Sequence, residues 1–248
     1  MLIDHIIASG HLLFRWRSFL LLGFAPAFLW AVMTGETIEL QWGESVGAAV
    51  EGLAITMVVV GEVIRILTVG FVPRGTSGRN TKKGQIAEVL NTSGLYSLVR
   101  NPLYLGNSLM YLGIALYTQQ IWLVAVLALT LALYYERIIA AEEDFLRIKF
   151  GAPYAEWARR TPAFFPRLGG GRRPDLPFSL RTVIRREHAS ILGGFLALYL
   201  VELGLHALPA SHDIMPIGWH VAMTVALLVD VTVKVAKRYT SLLEVEGR

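Results

Sequence analysis

Two short strings in this chain carry side chains suited to group transfer. Residues 94–106 read GLYSLVRNPLYLG, and residues 141–157 read AEEDFLRIKFGAPYAEW. The first offers Tyr96, Arg100, Asn101, Pro102, Tyr104 and Gly106; the second offers Glu142, Glu143 and Tyr154. Arg100 presents a fork of donors that matches a carboxylate or a phosphate. Pro102 fits the first turn of a helix and Asn101 its N-cap, where free N–H groups favour an anion. Glu142 or Glu143 can accept from an amine or a sugar hydroxyl. Aromatic faces such as Tyr104 and Tyr154 can steady a cation. Gly106 lets a second helix or a ligand come close.

Each feature also has a plainer reading. An arginine at a membrane surface commonly faces lipid head groups. Glu143 with Arg147 makes an ordinary pair on a surface helix. Tyr117 reads as an interfacial belt residue. Three acids, Glu142, Glu143 and Asp144, oppose the dipole at a helix C-terminus. Either the helix continues beyond the membrane or the acids are held for a task. Gly151 and Pro153 then mark that helix's end. Tyr154, Trp157 and Arg160 recur at helical spacing, which suits a helix in the head-group layer.

The elements that must position these strings are apolar. Of 248 residues, 54% are hydrophobic, and the mean hydropathy is +0.51. Soluble domains of this length are less apolar, so the expectation is an all-α, polytopic membrane bundle. Six spans are expected, over 19–33, 46–69, 103–117, 121–140, 191–208 and 216–235, with Pro26 kinking the first. The first and third are short for a crossing. The third and fourth form a hairpin around Thr118, Gln119 and Gln120, so both strings fall on one side of it.

Charge supports that layout. The 34–45 loop holds Glu36, Glu39 and Glu44 and no Lys or Arg, and the 209–215 loop holds only Asp213. Segments 70–102 and 141–187 carry most of the basic residues, Arg74, Lys82, Lys83 and Arg100 among them. The positive-inside rule then puts both termini and both strings in the cytoplasm; the expected setting is a bacterial inner membrane, or the endoplasmic reticulum if the source is eukaryotic. No cleavable leader is expected, since the first apolar run follows Arg15 and Arg17 without a small-residue cleavage site. The basic balance belongs to the membrane, not to nucleic acid. Residues 1–168 are expected as a core, 169–187 as a basic linker and 188–248 as a C-terminal helix pair. Within the spans, Glu62 is placed to pair with Arg65, Glu202 with His206, and Asp230 with Lys234. The chain has no cysteine, and its six histidines show no HExxH spacing, so no metal site is expected.

Taken in order, the two strings resemble the signature of the membrane-embedded isoprenylcysteine carboxyl methyltransferase and phospholipid methyltransferase superfamily. Its first piece runs roughly GPYxxVRHPxYxG, matched here from Gly94 to Gly106. Its second runs roughly EExxLxxxFGxxYxxY…P, filled by Glu142, Glu143, Leu146, Phe150, Gly151, Tyr154, Trp157 and Pro166. The likeness covers residues 86–168, a third of the chain. It departs at Asn101, where the family has histidine, and at Trp157, where it has tyrosine. The resemblance implies transfer of a methyl group from S-adenosylmethionine to a lipid head-group phosphate or amine, or to a lipid-linked carboxylate. The cofactor would lie between the two pieces, bound by Tyr96, Arg100, Asn101, Pro102, Tyr104, Gly106, Glu142, Glu143 and Tyr154. Arg100, Glu143 and Tyr104 would act in catalysis. Asn101 cannot serve as a base, which mildly favours an anionic oxygen acceptor. An NADPH-dependent reductase of the sterol type and a non-catalytic lipid-binding protein are the rival expectations.

Overall fold

A computed structural model gives the architecture and describes residues 2–16, 20–73, 75–76, 79–81, 84–208 and 214–248. Arg17, Phe19, Arg74, Lys82, Lys83, His212 and Asp213 lie outside these. The described residues form α1 (Leu2–Trp16), a 3₁₀ turn (Leu20–Phe24), α2 (Ala25–Met33), α3 (Thr37–Trp42) and α4 (Glu44–Gly70). A second 3₁₀ turn (Gly94–Ser97) precedes α5 (Pro102–Tyr117), α6 (Ile121–Phe150), α7 (Ala152–Arg160), α8 (Leu180–Ala207) and α9 (Ile217–Tyr239). The all-α expectation holds, with one addition. Part of the turn-rich stretch after Pro73 pairs as a short antiparallel hairpin, β1 (Arg79–Thr81) with β2 (Gly84–Ile86), in register Arg79↔Ile86.

Four helices among the described residues, rather than six, are long and apolar enough to cross a bilayer: α4, α6, α8 and α9. The hydrocarbon core is about 30 Å thick, and α5, at 16 residues, reaches about 24 Å. The expected first span is broken, because Pro26 opens α2 instead of kinking one continuous helix. At 30 residues α6 is about 45 Å long and carries Glu142 and Glu143 past the apolar layer on an unbroken helix. The N-terminal α1, which sequence pattern did not single out, crosses α6 where Gly10 meets the Arg137 carbonyl.

The bundle is held closest at α4 and α5. A Cβ on Gly61 would stand 2.5 Å from the Gly106 carbonyl oxygen, and one on Gly113 would stand 2.7 Å from that of Ala54. Small residues at such crossings let backbones approach where no hydrophobic drive exists between helices. One apolar cluster joins Phe14, Ala31, Tyr104, Leu127, Leu131 and Ile138; another joins Val32, Ala54, Val58, Ile114, Leu198 and Val201. The C-terminal α8 is therefore packed into the core. Leu129, Leu133, Leu228 and Val231 stay exposed, as lipid-facing positions should.

Charged residues of the last two helices pair structurally, as expected. Lys234 lies 2.7 Å from Asp230, and His188 meets the same carboxylate at 2.7 Å. His206 is 3.8 Å from Glu202. Tyr117 departs from the belt reading: it is buried, and its hydroxyl donates to Glu202 at 2.7 Å.

The end of the bundle opposite Arg100 is acidic and closed by a glutamine. Fully buried Gln119 accepts from the Glu39 amide at 2.8 Å and donates to Glu51 at 3.1 Å. Carboxylate oxygens of Glu36, Glu39 and Glu51 lie within 4.8 Å of one another. Burial, then the charge of Glu39 and a hydrogen bond with Glu51, push Glu36 up to about 7. The folded state thus binds this proton more tightly than the unfolded chain. Its contribution to stability is complete below the ordinary carboxylate value of 4.5 and is lost as pH rises through about 7. Thermal melts in detergent should show the wild type losing stability across that window. Glu36→Gln should flatten the loss and melt higher at alkaline pH; an unchanged slope would exclude Glu36 as its source.

Candidate functional site

Pro102 sits in the first turn of α5, as its fixed φ and missing N–H require. That start anchors the 3₁₀ turn before it and points Arg100 across to α6. The Arg100 Nε donates to Glu143 Oε1 at 2.8 Å and its Nη2 to Glu143 Oε2 at 3.0 Å. Its Nη1 donates to the carbonyls of Ala158 at 2.6 Å and Thr161 at 3.0 Å. One guanidinium thus ties together the start of α5, the polar end of α6 and the end of α7. Arg147, the plainer partner for Glu143, is not used. The Arg100 amide in turn donates to Pro162 O at 2.9 Å.

Asn101 occupies the N-cap position of α5 but makes no cap hydrogen bond; its Nδ2 donates to Ala163 O at 3.0 Å. The backbone there (φ −125°, ψ 59°) turns the side chain toward the segment after α7. That segment is docked, and so is Arg172 in the stretch expected as a linker. Gly94 N donates to Arg172 O at 3.0 Å, Arg172 N to Ser97 Oγ at 2.8 Å, and Arg167 N to Leu98 O at 3.1 Å.

Gly151, at φ 57°, ends α6 in a conformation that favours glycine and turns α7 back on α6. The aromatic face of α7 therefore points inward. Tyr154 is buried with Ala87 and Leu146, and Trp157 donates to Tyr96 O at 3.0 Å. Burial first, and then the Glu143 carboxylate, raise the Tyr154 phenol above its ordinary value. Its hydroxyl is buried near Glu143 but makes no hydrogen bond.

These residues line one narrow cleft. Tyr96, Arg100, Asn101, Glu142, Glu143 and Tyr154 all face it. Pro102, Tyr104 and Gly106 lie outside its lining. Tyr104 is buried with its ring 4.8 Å from that of Tyr135, and Gly106 packs against Gly61 and Arg65. The cleft also uses Thr76, Val89, Leu90 and Asn91, which cover it from the connection after α4. No sequence signal pointed to these four, because an irregular connection shows no periodicity. Trp157 joins them, a residue that the sequence marks only as a departure from a familiar pattern.

The groups suit a ligand with hydroxyls, an amine and a positive centre. Two carboxylates accept, an aromatic pair flanks them, and the Tyr154 hydroxyl has an unused bond to give. The free volume is about 20 Å³, well below that of a small-molecule pocket.

The sequence pattern of the phospholipid methyltransferase family matches residues 51–153, which span α4 to the start of α7. The nickel-cobalt-cadmium resistance protein NccN of Alcaligenes xylosoxydans xylosoxydans is 34% identical over 184 residues, covering 71% of this chain and 78% of that protein. The cobalt-zinc-cadmium resistance protein CzcN of Cupriavidus metallidurans is 51% identical over 85 residues, or 34% of this chain. That second match spans only 39% of the relative's own length. No solved structure matches the chain.

Proposed function

We propose that this chain, which belongs to the phospholipid methyltransferase family, moves a methyl group from S-adenosylmethionine to a lipid or lipid-linked acceptor at the Arg100 end of its bundle. The observation that carries this reading is the Arg100–Glu143 pair. Side chains 43 residues apart, separated by a helical hairpin, meet in one cleft beside Glu142 and the unsatisfied Tyr154 hydroxyl.

When bound, S-adenosylmethionine would supply an electrophilic methyl on a sulfonium. The chain's own residues would bind, orient and exclude water. Glu142 or Glu143 would accept from ribose hydroxyls or the amine, and Tyr154 would donate its free hydroxyl. The tyrosine and tryptophan faces would favour the positive centre. Arg100, whose donors are committed to Glu143, Ala158 and Thr161, acts here as a positioning residue. Charge moves little through solvent in such a transfer, so orientation and fixed electrostatics provide most of the rate.

The basic end faces the cytoplasm in this reading, in line with the positive-inside rule. The two relatives' names concern metal resistance. Methylation of an anionic head-group oxygen would remove a charge that divalent cations meet at the membrane, which is a physical route between the two.

Calorimetric titration of S-adenosylhomocysteine into the purified protein in lipid nanodiscs tests the reading. Saturable binding is expected, with no binding of NADPH. Tyr154→Phe should leave the melting temperature unchanged or slightly higher, because a buried unpaired hydroxyl gives the fold nothing, and should weaken this binding about tenfold. Lipid extracts of cells with the gene should contain a species heavier by one CH₂. Failure of the wild type to bind S-adenosylhomocysteine would sink the proposal.

A further inference from the structure

Another cavity, of about 660 Å³, adjoins the cleft and shares Leu90 and Trp157 with it. Its walls are α7, part of the 90–97 segment and the stretch docked after α7. The volume is that of a small-molecule site. Backbone contacts shape it. Arg167 N is anchored on Leu98 O at 3.1 Å and Arg172 N on Ser97 Oγ at 2.8 Å. Between these anchors Gly170 adopts φ 73°, which favours glycine and turns the chain so that both arginines line the same space.

The lining is basic. Arg160 of α7 joins Arg167 and Arg172, and Glu156 is the one acid beside them. Three guanidiniums against one carboxylate leave two positive charges on the wall of a concave site, which focuses the field on an entering anion. Glu156 holds Arg160 at 2.8 Å, but the pair is exposed and worth little, so Arg160 can turn to a ligand. Among the described residues neither Arg167 nor Arg172 has a carboxylate partner. Arg167 gives its Nη2 to Gly170 O at 2.7 Å and reaches Arg160 O only at 3.4 Å. Its Nε is buried and donates to nothing among the described residues. A buried guanidinium N–H without an acceptor is costly, and an anion's oxygen is the acceptor it lacks. Thr92 and Thr161 add hydroxyls to the same wall.

We infer that this cavity is a phosphate-binding site, with Arg160, Arg167 and Arg172 as its forked donors. A doubly charged phosphate group matches the two uncompensated charges, and guanidinium forks match its oxygens in pairs. The group belongs either to a free phosphate ester or to a lipid head group. Phe165 and Leu168 stay exposed on the same stretch, where acyl chains of a lipid could rest against them. All three arginines lie beyond residues 51–153, so the site is built from a part of the chain that the family's matched pattern does not include. It goes beyond the methyl-transfer reading and does not depend on it.

Calorimetric titration of the full-length protein in a non-ionic detergent at low salt tests this with three probes. They are inorganic phosphate, dioctanoyl phosphatidic acid, and dioctanoylglycerol as the same lipid without its phosphate. Wild type should bind a phosphate probe at one saturable site and should not bind dioctanoylglycerol. Inorganic phosphate binding within about tenfold of phosphatidic acid, or more tightly, assigns a free ester as the source; a larger preference for phosphatidic acid assigns a lipid head group. Arg172→Gln should weaken phosphate binding about tenfold, and so should Arg167→Gln. Arg172 is exposed and its anchors are backbone atoms, so the first variant keeps the fold even if the second does not. Arg181→Gln, exposed on α8 and outside the lining, is the control and should bind like wild type. Binding of neither phosphate probe, equal binding of dioctanoylglycerol, undiminished binding by Arg172→Gln, or an equal loss in Arg181→Gln would overturn the inference. Failure of the wild type to bind S-adenosylhomocysteine would count against the methyl-transfer reading alone, because phosphate binding does not require it.

Discussion

Glu143→Gln is expected to lower methyl transfer by about a hundredfold or more while the protein still folds. The variant keeps the side chain's shape and one acceptor oxygen for Arg100, so the link between α5 and α6 persists in weakened form. What it removes is a fixed negative charge in a partly enclosed cleft, and groups of this kind carry rate factors of roughly 10² to 10³. Arg100→Ala should be as inactive and also less stable. It strips the partner from a carboxylate only 17% exposed and frees two carbonyls, on Ala158 and Thr161, from their donor. Breaking a largely buried pair from one side costs about 3–5 kcal/mol, and solvent at this partly exposed position reduces that. Arg100→Lys should rescue stability in part and activity hardly at all, since an ammonium cannot hold both carboxylate oxygens and both carbonyls. Melting curves and S-adenosylhomocysteine titrations on the same samples separate the two effects. Wild-type turnover by Glu143→Gln would remove the cleft from consideration.

The second large effect concerns the fold. Gly106→Leu and Gly61→Leu should each lower the melting temperature in detergent by roughly 6–12 °C, from an overpacking cost of about 3 kcal/mol. At Gly106 a Cβ would stand 2.7 Å from the Gly61 carbonyl oxygen; at Gly61 it would stand 2.5 Å from that of Gly106. Both obstacles are backbone, so the helices must separate. Separation also moves Arg65 away from Asn107 and from Glu187 of α8, to whose Oε2 its Nε and Nη2 donate at 2.9 and 2.6 Å. Gly218→Ala, with nothing within 4 Å of the new atom, is the control and should melt like wild type. Equal stability of Gly106→Leu and the control would show that the α4–α5 approach is looser than described.

Much of the site was legible before any coordinates. Helix periodicity and Pro102 fixed the start of α5. Gly151 followed by Pro153 marked the end of α6, where the glycine adopts a positive φ. The apolar hairpin between the two strings required them to share an end of the bundle, and the Arg100–Glu143 pair lies there. The docking of Arg172 onto Gly94 and Ser97 was not legible. Glycines, arginines and prolines in a row read as a linker, and only the third dimension shows which carbonyls their amides meet.

Composition and local pattern determined the apolar surroundings and the all-helical class, because these follow from how each residue trades water for hydrocarbon. Partner choice was decided by tertiary structure. Arg65 went to Glu187 rather than to Glu62 three residues away, and Tyr117 went to Glu202 rather than to the interface. Inside a low-dielectric bundle a long side chain takes the partner that packing brings within hydrogen-bond reach. That depends on how closely two glycine-lined helices can approach, which spacing along one chain does not reveal.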